Sequence, residues 1–149
     1  KLGWKDVVLL ERKQLTCGTT WHAAGLIAQL RATQNMTRLA KYSQELYFGL
    51  EAETGVATGF KRNGSITVAL TNERMEELRR SAAMARAFDV EIDEISPSDI
   101  ISRYPHLKVE DVVGGVWLPK DGQADPVGVT NVLAKAAKIE GVKIFEKSL

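Results

Sequence analysis

The sequence predicts an α/β protein, in which strands and helices alternate along the chain. Three observations support this class. An apolar run at 6–11 is short enough for a buried strand of a parallel sheet. Apolar residues recur at helical spacing over 36–50, 75–88 and 129–139. Glycine and proline stand between these segments, where elements end or begin. The same order of elements is also compatible with an α+β arrangement.

The first half of the chain predicts two helices and a turn. A short helix is expected over 23–30, after a loop that follows the first strand. The apolar spacing from Met36 to Leu50 predicts an amphipathic helix of about four turns, and Gly55 lies beyond its end. The segment 60–70 contains Asn63-Gly64, which predicts either a hairpin or a strand entered through a tight turn.

Polar residues mark the expected starts of three helices in the second half. Asn72 is expected to cap the helix that buries the stripe 75–88 and exposes its Glu and Arg residues. Ser96 and Asp125 each precede a proline, which is favoured in the first helical turn. Gly141 is expected to end the last helix. Three further strands are expected at 90–95, 111–119 and 142–145.

Composition excludes several classes of protein. Of the 149 residues, 44% are hydrophobic and 26% are charged, values typical of a globular domain and not of a disordered chain. The formal net charge is +1, and no basic stripe indicates a nucleic-acid partner. No apolar run approaches the length that spans a membrane. Cys17 is the only cysteine, so an intrachain disulfide is excluded and we expect a reducing compartment. We expect Cys17 itself to be a small residue that packs against its neighbours.

The two ends of the sequence suggest a larger protein. The chain opens at Lys1 without an initiator methionine, and it closes soon after the expected strand at 142–145. We therefore expect it to be an interior piece of a longer protein.

The stretch from Gly18 to Gly25 is the strongest candidate for a functional site. It follows the first strand, which ends in the carboxylate of Glu11. Small residues at both ends of the stretch let the backbone approach a large, flat molecule or another element. Between them lie two threonine hydroxyls and His22, whose imidazole is a nucleophile and a base near neutral pH. A dinucleotide site would require such a strand and loop.

Each candidate also has a simpler explanation. Glu11 could be an exposed residue at a strand end, and His22 could be a packed or hydrogen-bonded structural residue. His106 is expected at the surface, and the sequence contains no Cys/His cluster that predicts a metal site. The turn at 121–126 would place backbone amides and Gln123 at a helix N-terminus, where they could bind an anion or the edge of a flavin. The simpler alternative is a turn that only caps the helix.

Two stretches resemble the FAD domain of the sarcosine and dimethylglycine dehydrogenase family, within the D-amino-acid-oxidase-like flavoproteins. They are Val-Leu-Leu-Glu-Arg at 8–12 and Leu-Thr-Cys-Gly-Thr-Thr-Trp-His-Ala-Ala-Gly at 15–25. Trp-His-Ala-Ala-Gly is the specific part of the resemblance, whereas Glu-Arg after a strand is common. The likeness continues through 53–55, 63–66, 104–105 and 121–126.

The resemblance implies a site for FAD. Glu11 would bind the adenosine ribose. The path of the pyrophosphate and the ribityl chain would be lined by Arg12, Gly18, Thr19 and Thr20. His22 matches the histidine that in several members bonds covalently to the flavin 8α-methyl group. Room for the flavin ring would be left by Ala23, Ala24 and Gly25.

The same resemblance implies part of a Rossmann-like FAD-binding domain with the start of an α+β substrate domain. Residues 1–35 would be a partial FAD-binding segment, and 36–120 a helical and hairpin segment leading into the substrate domain. Residues 121–149 would return to the FAD-binding domain. The Gly-x-Gly-x-x-Gly loop would lie upstream of Lys1, so we expect the fragment alone to bind FAD poorly and to be inactive.

The implied activity is oxidation of an N-methylated glycine, sarcosine or dimethylglycine, by hydride transfer to flavin N5. The substrate would be a small-molecule amine, and folate would be a further partner of the full-length protein. Neither a nucleic acid nor a membrane is expected as a partner. The compartment would be the cytoplasm, or the mitochondrial matrix in a eukaryote. The sequence identifies neither the electron acceptor nor the catalytic residues.

Two alternatives stay open. Pyruvate dehydrogenase phosphatase regulatory subunits resemble these dehydrogenases yet act as binding partners, so the fold does not guarantee turnover. The other alternative is a related flavoenzyme with noncovalent FAD, in which His22 merely packs near the ring.

Overall fold

The computed structural model describes residues 3–148, which form two compact units. Unit 1 contains the residues up to 27, 43–61 and those from 123 onward, whereas unit 2 contains 28–42 and 62–122. The strands are β1 (Val8–Leu10), β2 (Leu26–Ile27), β3 (Ser65–Ala69), β4 (Asp93–Ile95), β5 (Gly114–Leu118), β6 (Gly122–Gln123) and β7 (Lys143–Phe145). The helices are α1 (Gln34–Thr54), α2 (Asn72–Ala87), α3 (Pro97–Arg103) and α4 (Pro126–Ile139), with a 3-10 turn at Thr20–His22. This mixture of helices and strands confirms the predicted α/β class. The functional division at residues 35 and 120 stays a prediction.

Unit 1 contains a parallel pair of strands, β1 and β7. Val8 lies opposite Lys143 and Leu10 lies opposite Phe145, and α4 packs against β7. The parallel pairing is as expected, but the expected burial of the first strand is wrong. Val8 is 50% exposed, Leu10 is 67% exposed and Phe145 is 50% exposed. They are exposed because, among the described residues, β1 pairs with β7 alone.

The helix expected over 23–30 is wrong, because the 3-10 turn and β2 occupy this region. Gly25 has a φ of +75°, and its carbonyl accepts the N–H of Ala124 at 2.8 Å. A Cβ at Gly25 would collide with the carbonyl oxygen of Ala124. This close approach of two backbones requires glycine and replaces the helix with an extended segment.

Helix α1 is longer than expected and buries a different set of residues. It has 21 residues and ends before Gly55, whose φ is +68°. The expected apolar stripe is wrong at its start, since Met36 is 51% exposed and Leu39 is 57% exposed. Thr37 is fully buried instead, and its Oγ1 accepts the N–H of Arg31 at 3.1 Å. Hydrogen bonding therefore allows a polar side chain to be buried here.

Unit 2 is built on an antiparallel sheet with the strand order β3-β5-β4. Ile66 lies opposite Trp117, and Ile95 lies opposite Gly115. A Cβ at Gly115 would lie 2.6 Å from the carbonyl oxygen of Thr67. Glycine in β5 therefore permits close approach of the neighbouring strand.

The turn at Asn63-Gly64 leads into β3 and does not close a hairpin. Gly64 has a φ of +76°, and its N–H donates to the carbonyl of Asp121 at 2.8 Å. The strand that follows pairs with β5. Of the two expectations for this segment, the strand entered through a tight turn is confirmed.

Helix α2 packs against the sheet of unit 2. The expected core stripe is confirmed, but the cap is wrong by one residue. Thr71 is the N-cap, because its backbone is extended and its hydroxyl accepts the N–H of Arg74 at 3.2 Å. The helix start expected at Ser96-Pro97 is confirmed, and Ser96 forms a capping box with Asp99. The main core cluster comprises Ala69, Met75, Leu78, Ala82, Ala85, Val90, Ile92, Val116 and Leu118.

Two features are absent from residues 3–148. Within residues 3–148, no helix combines the length and the apolar character needed to cross a bilayer. The same residues contain no group of three or more His, Cys, Asp or Glu side chains placed to hold a metal ion.

Candidate functional site

The loop that follows β1 is fixed by backbone hydrogen bonds to the segment that follows β7. The N–H of Glu11 donates to the carbonyl of Phe145 at 2.9 Å, which extends the parallel pairing by one residue. Beyond it, the N–H of Lys147 donates to the carbonyl of Lys13 at 2.7 Å, and that of Ser148 donates to the carbonyl of Glu11 at 3.0 Å. These bonds give the loop a defined position in unit 1.

The loop encloses a pocket of about 300 Å³. Five of the eight site residues predicted from the sequence line it, namely Glu11, Arg12, Gly18, Thr19 and Thr20. The other three, His22, Ala24 and Gly25, follow along the chain and are not lining residues. The structure therefore brings together the end of the first strand and the start of the candidate stretch.

Glu11 is half-buried and lines this pocket. Its Oε1 accepts the backbone N–H of Lys13 at 2.7 Å, which fixes the direction of the side chain. A carboxylate can accept several hydrogen bonds, so the group can also bind a sugar hydroxyl. Arg12 and Lys13 line the same pocket. One carboxylate beside two cations suits a molecule that carries both hydroxyl and phosphate groups.

The segment from Gly18 to Thr20 adds an open backbone and two hydroxyls. A Cβ at Gly18 would meet no atom within 4 Å, so a large ligand can approach the backbone there. The carbonyl of Thr19 accepts the N–H of His22 at 3.1 Å, and this bond closes the 3-10 turn. The donor set fits part of a dinucleotide, and the pocket volume is at the lower end of the range for ligand sites.

His22 lies at the end of the 3-10 turn, outside the lining of this pocket. Its imidazole is exposed and stacks on the indole of Trp21. The ring centroids are 3.7 Å apart, and the ring planes meet at 33°. Helix α4 packs against the turn. The assignment of His22 to a flavin stays a prediction.

Ala24 and Gly25 have different environments. Ala24 is exposed, whereas Gly25 contacts the backbone of Ala124 and has a positive φ. Gly25 therefore has a structural requirement that is independent of any ligand. The expected role of both residues in leaving room for a flavin ring stays a prediction.

The pocket also contains residues that the sequence analysis did not assign to the site. Lys13, Gln14 and Thr16 line it, as does Cys17. The expectation that Cys17 packs inside the protein is wrong, because this residue lies in a surface loop and is exposed. These residue types are not distinctive, so only their position between Glu11 and Gly18 could have indicated them.

The turn at 121–126 forms a helix cap. Asp125 Oδ1 accepts the N–H of Val127 at 3.0 Å and caps α4, as the sequence predicts. The N–H of Gln123 donates to the carbonyl of Lys61 at 3.0 Å. Since both amides have partners within the chain, the structure favours the capped turn over an anion site.

Comparison with known families identifies the class of protein. Residues 1–148 match the family described as FAD dependent oxidoreductase, or DAO. The chain belongs to the FAD dependent oxidoreductase family. The resemblance noted in the sequence is thereby confirmed.

Curated relatives narrow the subgroup within this family. Human mitochondrial sarcosine dehydrogenase is 39% identical over 98% of this chain and 16% of the relative. Mitochondrial dimethylglycine dehydrogenase of Rattus norvegicus is 39% identical over 95% of this chain and 17% of the relative. The mitochondrial pyruvate dehydrogenase phosphatase regulatory subunit of Mus musculus is 36% identical over 99% of this chain and 17% of the relative. The chain thus spans about one-sixth of the length of the curated relatives it matches.

A solved structure agrees with this placement. L-proline dehydrogenase from P. horikoshii superposes with a TM-score of 0.87 and is 28% identical. The match covers 95% of this chain and 37% of that chain. The chain therefore shares its fold with part of this solved dehydrogenase.

Proposed function

We propose that this chain forms part of the FAD site of a longer flavoprotein that oxidises an N-methylated glycine, sarcosine or dimethylglycine. The observation that carries the proposal is the pocket after β1, which collects a carboxylate, cations, hydroxyls and an open glycine backbone. Membership of the FAD dependent oxidoreductase family supports the choice of ligand. The names of two relatives, sarcosine dehydrogenase and dimethylglycine dehydrogenase, support the choice of substrate.

The site residues predicted from the sequence have proposed tasks. Glu11 accepts hydrogen bonds from the hydroxyls of the adenosine ribose, a task for which its side chain is already oriented by Lys13. Arg12 offsets the negative charge of the pyrophosphate. The backbone at Gly18 allows close approach of the cofactor, and the hydroxyls of Thr19 and Thr20 line its path. Ala24 and Gly25 leave room for the ring.

When bound, FAD would accept at N5 a hydride from the N-methyl carbon of the neutral amine. The imine that results would then be hydrolysed, or passed to folate in the full-length protein. No described residue of this chain is assigned to binding the amine or to moving its proton. An electron acceptor would return the cofactor to its oxidised form.

His22 is the proposed attachment point of the cofactor. One imidazole nitrogen of His22 would hold the flavin through a bond to its 8α carbon. Forming that bond would release the imidazole N–H proton, one 8α proton and two electrons, which would be taken up by the flavin ring and then by an external oxidant such as dioxygen. A fixed link prevents loss of the cofactor and changes its electronics. The competing arrangement is noncovalent FAD with His22 packed near the ring.

A denaturing gel separates the two arrangements. Flavin fluorescence that stays on the wild-type chain and leaves the His22→Ala chain supports the bond. Release of flavin from the denatured wild-type protein contradicts it, while flavin bound before denaturation would still support FAD as the cofactor.

We also propose that the chain alone binds FAD poorly and is inactive. A pocket of about 300 Å³ holds only part of a dinucleotide, and the relatives are about six times longer. The proposal assigns 1–35 and 121–149 to the FAD-binding domain and 36–120 to the approach to the substrate domain. Flavin absorbance of the purified chain, compared with that of the longer protein, tests it. A stoichiometrically yellow chain contradicts it.

A second candidate function is that of a non-catalytic regulatory subunit. It is favoured by the 36% identity to the pyruvate dehydrogenase phosphatase regulatory subunit. Anaerobic addition of sarcosine or dimethylglycine to the longer protein distinguishes the two functions. Loss of flavin absorbance supports the dehydrogenase, whereas bound flavin that neither amine bleaches supports the regulatory subunit. The proposed compartment is the cytoplasm, or the mitochondrial matrix in a eukaryote; the names of the relatives describe them as mitochondrial.

A further inference from the structure

We propose that Trp21 is a positioning residue, which holds the imidazole of His22 in the orientation needed for its attachment to the flavin. The inference rests on the covalent attachment proposed above. It starts from the stacking of the two rings, whose centroids are 3.7 Å apart with 33° between the planes. The two residues are adjacent in the chain and share the 3-10 turn.

The backbone of the turn fixes only part of the geometry. The N–H of His22 donates to the carbonyl of Thr19 at 3.1 Å, and the N–H of Ala23 donates to the carbonyl of Thr20 at 3.1 Å. These two bonds fix the backbone but leave the imidazole free to rotate about its side-chain bonds. Stacking on an aromatic ring restrains this rotation, because offset and tilted ring pairs attract one another. Trp21 thus supplies a restraint that the backbone cannot supply.

The stacked arrangement leaves the reactive part of the imidazole accessible. The lone pair of a neutral imidazole lies in the plane of the ring, whereas the indole covers a face of it. Trp21 is 60% exposed and His22 is also exposed, so an electrophilic carbon can approach the edge of the imidazole. A nucleophile held near its attack geometry reacts faster than one that rotates freely. The indole therefore raises the rate of attachment without touching the bond that forms.

The rate of attachment can be measured separately from FAD binding. Flavin-free protein containing this chain within its full-length form is mixed with saturating FAD, and covalent flavin is followed by fluorescence on denaturing gels. Noncovalent binding is followed in parallel by flavin fluorescence in solution. Trp21→Leu removes the ring, and Trp21→Phe retains one. Trp4→Leu is the matched control, because it removes an indole that is 81% exposed elsewhere in unit 1.

The expected result is a specific loss of rate in one variant. Trp21→Leu should slow attachment by about 2- to 12-fold, the range that corresponds to loss of one aromatic pair. Trp21→Phe and Trp4→Leu should stay within about twofold of wild type, as aromatic stacking is retained in both. The noncovalent affinity for FAD should be unchanged in all three variants. An unchanged rate in Trp21→Leu, no rescue by Trp21→Phe, or a parallel loss of noncovalent affinity overturns the positioning role.

A second measurement needs no flavin. In flavin-free protein with isotope-labelled histidine, the ring current of the indole should shift the His22 ring protons upfield, and Trp21→Leu should abolish that shift. Unshifted protons in wild type overturn the stacked geometry. Release of all flavin from denatured wild type overturns the attachment, and with it the role of Trp21. Retention of flavin with a wild-type rate in Trp21→Leu overturns the role of Trp21 alone.

Discussion

Replacing Glu11 with glutamine tests the candidate FAD site most directly. The amide oxygen that Glu11→Gln introduces can still accept the N–H of Lys13, a bond that measures 2.7 Å in the structure, so the loop should keep its shape. The variant loses the negative charge that would accept hydrogen bonds from the ribose. A hydrogen bond to a charged group contributes about 1.5–3 kcal/mol, so FAD binding should weaken by about 10- to 150-fold.

The assay is equilibrium titration of flavin-free protein with FAD in a His22→Ala background, where the cofactor stays exchangeable. Glu146→Gln is the matched control. Glu146 Oε1 accepts the N–H of Leu15 at 2.7 Å in the same loop, but Glu146 does not line the pocket that contains Glu11. The control should change the affinity by less than about threefold, since Glu146 does not line the pocket and the amide oxygen of Glu146→Gln can still accept the N–H of Leu15. An affinity of Glu11→Gln equal to that of the control refutes the assignment of Glu11 to the ribose.

Three further predictions concern stability and pH. Gly25→Ala should lower the free energy of unfolding, measured by chemical denaturation, by about 2–4 kcal/mol, because it adds strain at positive φ and a backbone collision. Gly49→Ala is the control. A Cβ at Gly49 would meet no atom within 4 Å, so this variant should be neutral or stabilising. Ile100→Ala should lower the free energy of unfolding by about 2–5 kcal/mol, because Ile100 is fully buried. A loss below about 1 kcal/mol contradicts this packing. The pKa of Asp99 lies below its usual value, because the side chain and the backbone N–H of Ser96 donate hydrogen bonds to the carboxylate. The stabilising effect of the Asp99 carboxylate should be present above its unfolded pKa and be lost as the pH falls through its folded pKa. NMR titration tests the cause: if Ser96→Ala leaves the pKa of Asp99 unchanged, the hydrogen bond from the Ser96 side chain is not what lowers it.

Local sequence patterns predicted those elements whose stability depends on neighbours in the chain. The buried stripe of α2, from Met75 to Ala85, follows from helical periodicity alone. The caps at Ser96 and Asp125 follow from side chains that bond amides two or three residues away. The motif around His22 was sufficient to indicate the family, which residues 1–148 then matched.

Contacts between distant segments determined what the sequence could not predict. Gly25 lies in an extended segment because the backbone of Ala124, far along the chain, approaches it too closely for a side chain. Val8 is exposed because strand burial depends on how many neighbours pair with the strand, and apolar composition does not reveal that number. Cys17 lies in a pocket-lining loop whose Glu11 and Lys13 carbonyls accept N–H groups from the segment after β7, and the local sequence does not reveal that contact. The sequence by itself therefore determined the family, the helical faces and the caps, all of which are short-range properties. Only the tertiary structure decided which of the candidate residues share a pocket, because that depends on pairing across more than a hundred residues.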